Sequence, residues 1–350
     1  MRKLLLISTL LLAAITVVAV IAVTTVKGFG DRALPLTEPL VFEVPRGSSF
    51  RSVVEGLAGQ GAVKETLLFR LYARNRDAAS RIHAGEYQIR PGMTHGELLD
   101  AMTTGKVIYH QLTFVEGLRV QDYLAALQSH EAVDFDLADA SPEGVARLLG
   151  LDGSNPEGWI YPDTYQFSRG TAATQLLRGA YERMKAVLGD EWATRQQGLP
   201  LDTPYDALIL ASIVEKETGV AEERPAIAGV FVRRLLKGMR LQTDPTVIYG
   251  MGEAYQGRIG RADLRRPTPY NTYVIRGLPP TPIASPARAA IHAALNPAEG
   301  DALYFVAKGD GSHQFSATLR AHNRAVERYQ RSGRRSDYRS APPPAENTGS

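Results

Sequence analysis

Leu208-Ile-Leu-Ala-Ser-Ile-Val-Glu-Lys-Glu-Thr218, followed by Met239-Arg-Leu-Gln-Thr-Asp-Pro-Thr-Val-Ile-Tyr249, is where fold and chemistry meet in this chain. The first stretch has an apolar helical pattern that ends in carboxylates. The second reads as a polar loop region leading to Tyr249. A carboxyl group at the end of an apolar helix loses hydration, and burial raises its pKa by disfavouring the charged form. Held neutral near pH 7, such a group can protonate a leaving group. The residues therefore point to an acid catalyst in a cleft of sugar or peptide size. Glu215 and Glu217 are two positions apart, about 200° around a helix, so they do not form a paired-carboxylate site. Glu215 continues the stripe of Leu208 and Ala211, and Glu217 that of Leu210, Ile213 and Val214. Helical geometry leaves open which of the two is the acid. Both also read as ordinary helix-end charges, with Glu222, Glu223 and Arg224 in solvated pairs.

Outward from this segment, the N-terminus decides the compartment. Residues 4–26 are almost uninterrupted Leu, Ile, Ala and Val. A helix of that length, at about 1.5 Å per residue, spans a hydrocarbon core. Arg2 and Lys3 precede it and Lys27 follows, a balance that places the N-terminus in the cytoplasm and the rest outside. A cleavable signal peptide would have a shorter apolar region, of about 7–15 residues, and a small-residue cleavage site. Thr24-Thr25-Val26-Lys27 is a poor one. The expectation is a retained single anchor. The 350 residues include no cysteine, which excludes a thiol nucleophile, disulfides and Cys-type zinc sites. Formal net charge is only +3, and the basic residues from Arg320 onward run into a Pro/Ala/Ser-rich end. Residues 331–350 read as a solvated tail rather than a nucleic-acid arm.

The expected fold class is α+β, in five segments: anchor 1–27, linker 28–40, a small α+β module 41–107, a larger mixed α/β domain 108–330, and tail 331–350. In the module, Val41-Phe-Glu-Val-Pro45 alternates like a strand, and helical spacing follows over 50–59 and 64–74. Thr94 and Glu97 form a capping box before a further helix. Such a module suits either surface recognition or a spacer that holds the rest off the membrane. In the larger domain, helices are expected over 120–127, 142–149 and 173–187, before the one that ends at Glu217. Glu157-Gly-Trp-Ile-Tyr-Pro-Asp-Thr-Tyr-Gln-Phe167 is rich in aromatics. These build a core more readily than a sugar-stacking platform, because each ring buries a large area.

Ala211-Ser-Ile-Val-Glu-Lys-Glu-Thr218, the segment from Met239 to Gly252, Tyr270-Asn-Thr-Tyr273 and Gly277-Leu-Pro-Pro280 together resemble the endolytic murein transglycosylases, the MltG or YceG-like family. Glu157-Gly-Trp-Ile-Tyr-Pro-Asp-Thr164, Tyr304-Phe-Val-Ala307 and His313-Gln-Phe315 match as well, in order, so the resemblance runs from the anchor to about Tyr329. It implies a single-pass protein of the inner (cytoplasmic) membrane, its bulk periplasmic or extracytoplasmic, that cuts the glycan strands of peptidoglycan. The 41–107 module is then similar to a LysM-like domain, and Glu217 is the catalytic acid. With one essential carboxylate, Glu217 protonates the oxygen between N-acetylmuramic acid and N-acetylglucosamine. It then takes the proton of the muramoyl C6 hydroxyl, leaving a 1,6-anhydro end. Gln242, Asp244, Thr246, Tyr249, Asn271 and Tyr273 are the candidate substrate contacts, with Thr243 in the same polar strip. His313 and Phe315 either complete the cleft rim or only pack. No metal or cofactor is implied; a peptidoglycan synthase is a plausible membrane partner, and nucleic acid is not. Two alternatives stand beside this reading. One is a glycan-binding scaffold without activity. The other is a water-using muramidase, which would need a second carboxylate such as Asp163 or Asp244.

Overall fold

A computed structural model describes residues 2–151 and 155–332 of the chain. The mixed helix-and-strand chain falls into two compact units. The first holds the residues up to Gln111, with Ala132–Asp134 and Gln166–Thr171; the second holds the remainder. Most of the expected tail, from residue 333 on, lies outside the described residues.

The first unit opens with α1 (Arg2–Gly28), which is long and apolar enough to cross a membrane. Its Leu10, Leu11 and Leu12 are each more than 60% exposed, whereas Val26 near its end packs against the core of the first unit. Then come β1 (Leu40–Val44), α2 (Phe50–Gly59), α3 (Thr66–Asn75), β2 (Gly85–Ile89) and α4 (His95–Thr104). β1 and β2 pair antiparallel, with Phe42 opposite Tyr87 and Val44 opposite Gly85. Along β1, Phe42 and Val44 point into the core while Val41 and Glu43 are exposed, the period of two of a half-buried strand. Ser49 caps α2, and Thr94 and Glu97 cap α4 reciprocally, as their spacing predicts.

The stretch 28–40, expected as a linker, belongs in part to this core. Phe29 and Leu34 are buried among Phe42, Val54, Leu57 and Phe69. The carbonyl of Arg32 accepts from the backbone N–H of His95, and Leu34 N–H donates to Met93. Two buried side chains and two long-range backbone bonds do not show as periodicity in so short a segment, which is why it reads as structureless.

β3 (Tyr109–Thr113) pairs with β5 (Thr164–Ser168), and β4 (Val133–Asp134) with β6 (Thr171–Ala172). The helices of the second unit are α5 (Val120–Ser129), α6 (Pro142–Leu149), α7 (Ala173–Ala193), α8 (Pro204–Glu217), α9 (Arg224–Leu236), α10 (Asp244–Met251), α11 (Arg288–Leu295) and α12 (Leu319–Val326). The hairpin β7 (Tyr304–Ala307) and β8 (His313–Ser316) precedes α12. Every residue of α8 from Ala207 to Glu215 is buried, with α7, α9, α10 and α11 packed around it. A helix apolar on all sides is a central one, and this is what carries Glu217 from the core to the edge of the unit. The aromatic run from Trp159 is core, as composition favours. Trp159 stacks on Tyr205 at 5.7 Å, Tyr161 is buried, and Tyr165 donates to the Tyr161 carbonyl.

Candidate active site

α8 begins with a capping box, the Thr203 hydroxyl accepting from Asp206 N–H and the Asp206 carboxylate accepting from Thr203 N–H. It ends at Glu217, because Thr218 turns extended and uses its hydroxyl to accept from Val220 N–H. The two glutamates of the last turn go to different places. Glu215 points inward, accepting from the Ala287 N–H at 2.8 Å and pairing with Arg224 at 3.2 Å. It thereby caps the start of α11, and burial raises its pKa against the pull of those two donors. The pairing of Arg224 is thus not solvated. Glu223 is engaged too, accepting from both the backbone N–H and Nδ1 of buried His313. His313 and Phe315 pack rather than line an open rim; Phe315 rests against the main core.

Glu217 is half-buried as a residue, but its carboxyl group is densely surrounded, and burial pushes its pKa up to about 7. The Thr243 hydroxyl donates to its Oε1, which favours the ionised form; the neighbouring Asp244 charge acts the other way, and Arg234 weakly against it. The position at the C-terminal end of a helix also disfavours an anion. The result is a carboxyl group that can hold or release a proton near neutral pH.

The polar segment after Met239 is not all loop. From Asp244 it forms α10, with Pro245 in the first turn, where a missing N–H costs nothing. Thr243 occupies the N-cap position but makes no cap bond, since its hydroxyl serves Glu217 instead. Gln242 before it is exposed and held at φ 51°, its N–H donating to the Thr272 carbonyl. Asp244 is exposed beside Glu217 and accepts from the Tyr273 hydroxyl at 2.7 Å. Burial and that carboxylate raise the Tyr273 pKa, so it remains a neutral donor.

Thus Glu217, Thr243, Asp244 and Tyr273 are brought together, with Gln242 at the edge. Two expected contacts are not substrate-facing. Thr246 is fully buried, donating to the Thr243 carbonyl and bonded to the Thr272 hydroxyl. Asn271 is 1% exposed, its amide donating to the carbonyls of Asp263 and Arg266 while its Oδ1 accepts from Tyr273 N–H. Both spend their polar atoms on the loops that carry Thr243 and Tyr273. Tyr249 lies at the other end of α10, where its hydroxyl accepts from Asn155. Asp163 pairs with Arg183 at 2.8 Å, so of the two candidate second carboxylates only Asp244 is beside Glu217.

Arg234 escapes a reading of the sequence. It is buried, its Nε donating to the Leu303 carbonyl and one terminal nitrogen to that of Leu241, with its guanidinium 5.1 Å from the Tyr304 ring centroid. It stands as a fixed cation near Glu217 and Tyr273. The signal available was an arginine on the buried stripe of Ile227, Val230 and Phe231.

Comparison with known proteins agrees with the motifs. The YceG-like family matches over residues 42–328. An endolytic murein transglycosylase of Bacillus subtilis is 31% identical over 304 residues, 82% of this chain and 83% of its own length. One from Streptococcus pneumoniae is 29% identical over 81% of this chain, which spans 57% of that longer protein. A solved YceG-like protein of Listeria monocytogenes superposes with a TM-score of 0.52 at 29% identity, covering 82% of this chain and 99% of its own. The chain belongs to the YceG-like family.

Proposed function

We propose that the protein is an endolytic lytic transglycosylase that cuts peptidoglycan glycan strands between N-acetylmuramic acid and N-acetylglucosamine, with Glu217 as its acid and then its base. The observation that carries this reading is the Glu217 carboxyl itself. It closes a buried helix, is bonded by Thr243, and has a pKa of about 7. Protonated, it gives its proton to the glycosidic oxygen. The oxocarbenium-like charge at C1 is steadied by the substrate's acetamido group and by the nearby Asp244 carboxylate. The Glu217 carboxylate then takes the proton of the C6 hydroxyl as that oxygen closes on C1. The bond between C1 and the leaving oxygen breaks, a C1–O6 bond forms, and no water is consumed. Tyr273 holds Asp244, and Gln242 and Tyr249 remain candidate sugar contacts; Thr246 and Asn271 act by positioning.

In this reading α1 is a retained anchor of the inner membrane, with both units outside the cytoplasm. The β-α-α-β order of residues 40–89 supports a LysM-like module, and a synthase making nascent strands is the natural membrane partner. Asp244 beside Glu217 also favours a second reading, a water-using muramidase with two carboxylates. Mass spectrometry of digested peptidoglycan separates them. Anhydromuramoyl ends that vanish with Glu217→Gln support the transglycosylase. Reducing ends support the hydrolase, and glycan binding with no cleavage by either form supports a scaffold.

A further inference from the structure

A cavity of about 700 Å³ in the second unit is lined by Arg119, Arg147, Asn155, Glu157, Tyr249 and Tyr270 among others, and the steps at Glu217 leave it unused. Its aromatic wall is Tyr249 against Tyr270, with ring centroids 4.8 Å apart. The Arg119 guanidinium lies 4.9 Å from the Tyr249 ring centroid. Asn155 donates to the Tyr249 oxygen at 2.8 Å, which leaves the Tyr249 hydroxyl hydrogen for another acceptor. Glu157 is 4% exposed. Its Oε1 accepts from Val120 N–H at 3.0 Å, whereas its Oε2 has no hydrogen-bond partner among the described residues. A buried carboxyl oxygen without a partner is costly, and its persistence calls for an explanation. Burial brings the Glu157 pKa up to about 7, so it can donate or accept there.

Two elements join this cavity to Glu217. α10 presents Asp244 beside Glu217 and Tyr249 five residues later, roughly 7.5 Å along its axis. The segment before α5 is tied to the last turn of α8 by the Lys216 ammonium, which donates to the Gly117 carbonyl at 3.0 Å. Arg119 follows two residues on. The cavity and the surroundings of Glu217 thus share two supports, α10 and the Gly117–Arg119 segment.

We propose that this cavity is a saccharide subsite that holds a non-reacting sugar of the strand, with the Tyr249–Tyr270 pair as its apolar wall and Arg119, Glu157 and the Tyr249 hydroxyl as its polar contacts. The inference rests on the reading of Glu217 as acting on glycan. Aromatic walls with a few convergent polar groups are how proteins grip small neutral ligands. A pyranose with an acetamido group offers what the site lacks, an N–H donor and hydroxyls, next to a flat apolar face.

The test measures binding rather than turnover. The full chain in detergent, carrying Glu217→Gln, is titrated with peptide-free N-acetylglucosamine–N-acetylmuramic acid disaccharide, tetrasaccharide and hexasaccharide. Arg119→Gln and, separately, Glu157→Gln are then added. Arg119 is only half-buried, so its variant keeps the test open should the Glu157 change impair folding. The expected result is a Kd for the hexasaccharide raised about ten-fold, as for loss of one good hydrogen bond, with a smaller rise for each shorter ligand. A rise equal at all lengths, or no rise, overturns the subsite and leaves the role of Glu217 standing. No binding of any oligosaccharide by the parent overturns both. Length-dependent losses alongside a failed search for anhydro ends would keep the subsite and discard the transglycosylase chemistry.

Discussion

A carboxyl group that must first give and then take one proton works best with a pKa close to the ambient pH. Glu217 reaches about 7 because burial and Asp244 outweigh Thr243 and Arg234. Its protonated form is complete well below that value and is lost as pH rises through it, so cleavage should fall on the alkaline side with a midpoint near 7. A pH profile of anhydro-end formation checks this. Thr243→Val removes the one hydrogen bond that favours the carboxylate, worth about 1 kcal/mol or roughly 0.7 of a pH unit. The alkaline limb should then move up by about that amount, and a limb that moves down or stays put would refute the role given to Thr243. The same group bears on stability. Between the ordinary carboxylate pKa and about 7, the folded chain holds a proton that the unfolded chain releases, so stability declines over that window as pH rises. Glu217→Gln removes that penalty. Its melting temperature should exceed that of the unmodified chain at pH values above about 7 and approach it toward about pH 5, as differential scanning calorimetry would show.

At the scale of elements, the ends of α8 decide where Glu217 sits. Thr203→Ala removes the hydroxyl that caps the helix and should cost about 1 kcal/mol, seen as a fall in melting temperature of about 2–4 °C. Gly158 lies at φ 81°, and a Cβ there would stand 2.6 Å from the Pro282 side chain. Gly158→Ala should destabilise the second unit by more than the cap does, because it combines backbone strain with overlap in a packed region. What the sequence revealed and hid follows from the same elements. The capping box of Thr94 and Glu97 and the periodic helices α2 and α5 were legible because their cause is local. α8 was legible as an element but not in its orientation, since burial on every side erases the face on which helical geometry relies. That left Glu215 and Glu217 equivalent on paper, and only the distant partners Ala287 and Thr243 tell them apart. α10 reads as a turn because Asp244-Pro245 is good turn chemistry as well as a good helix start. Asn271 and Thr246 are the residue types of a sugar contact. Their burial, set by Asp263, Arg266 and Thr272, is a tertiary fact with no local trace.

For the molecule as a whole, the boundary between α1 and the first unit governs how the protein can be cut. α1 exposes Leu, Ile and Val along its length, whereas Phe29, one residue past its end, is wholly buried among Phe69, Tyr72 and His95. Removing residues 1–27 takes away an apolar rod and, from the core, only the half-buried Val26 at its edge. Removing residues 1–36 also takes Phe29 and Leu34, and with them the backbone bonds to Met93 and His95. Loss of a buried phenylalanine from a core costs about 3–5 kcal/mol, a large share of the 5–15 kcal/mol that holds a domain together. A chain starting at residue 28 should therefore leave the membrane fraction and keep slow amide exchange in β1 and β2. One starting at residue 37 should lose that protection in the first unit while the core helices α8 and α11 keep theirs. Hydrogen exchange followed by mass spectrometry reads both units in one sample. If both truncations protect β1 and β2 equally, the segment is the linker that its sequence resembles, and its contacts to the core contribute no stability.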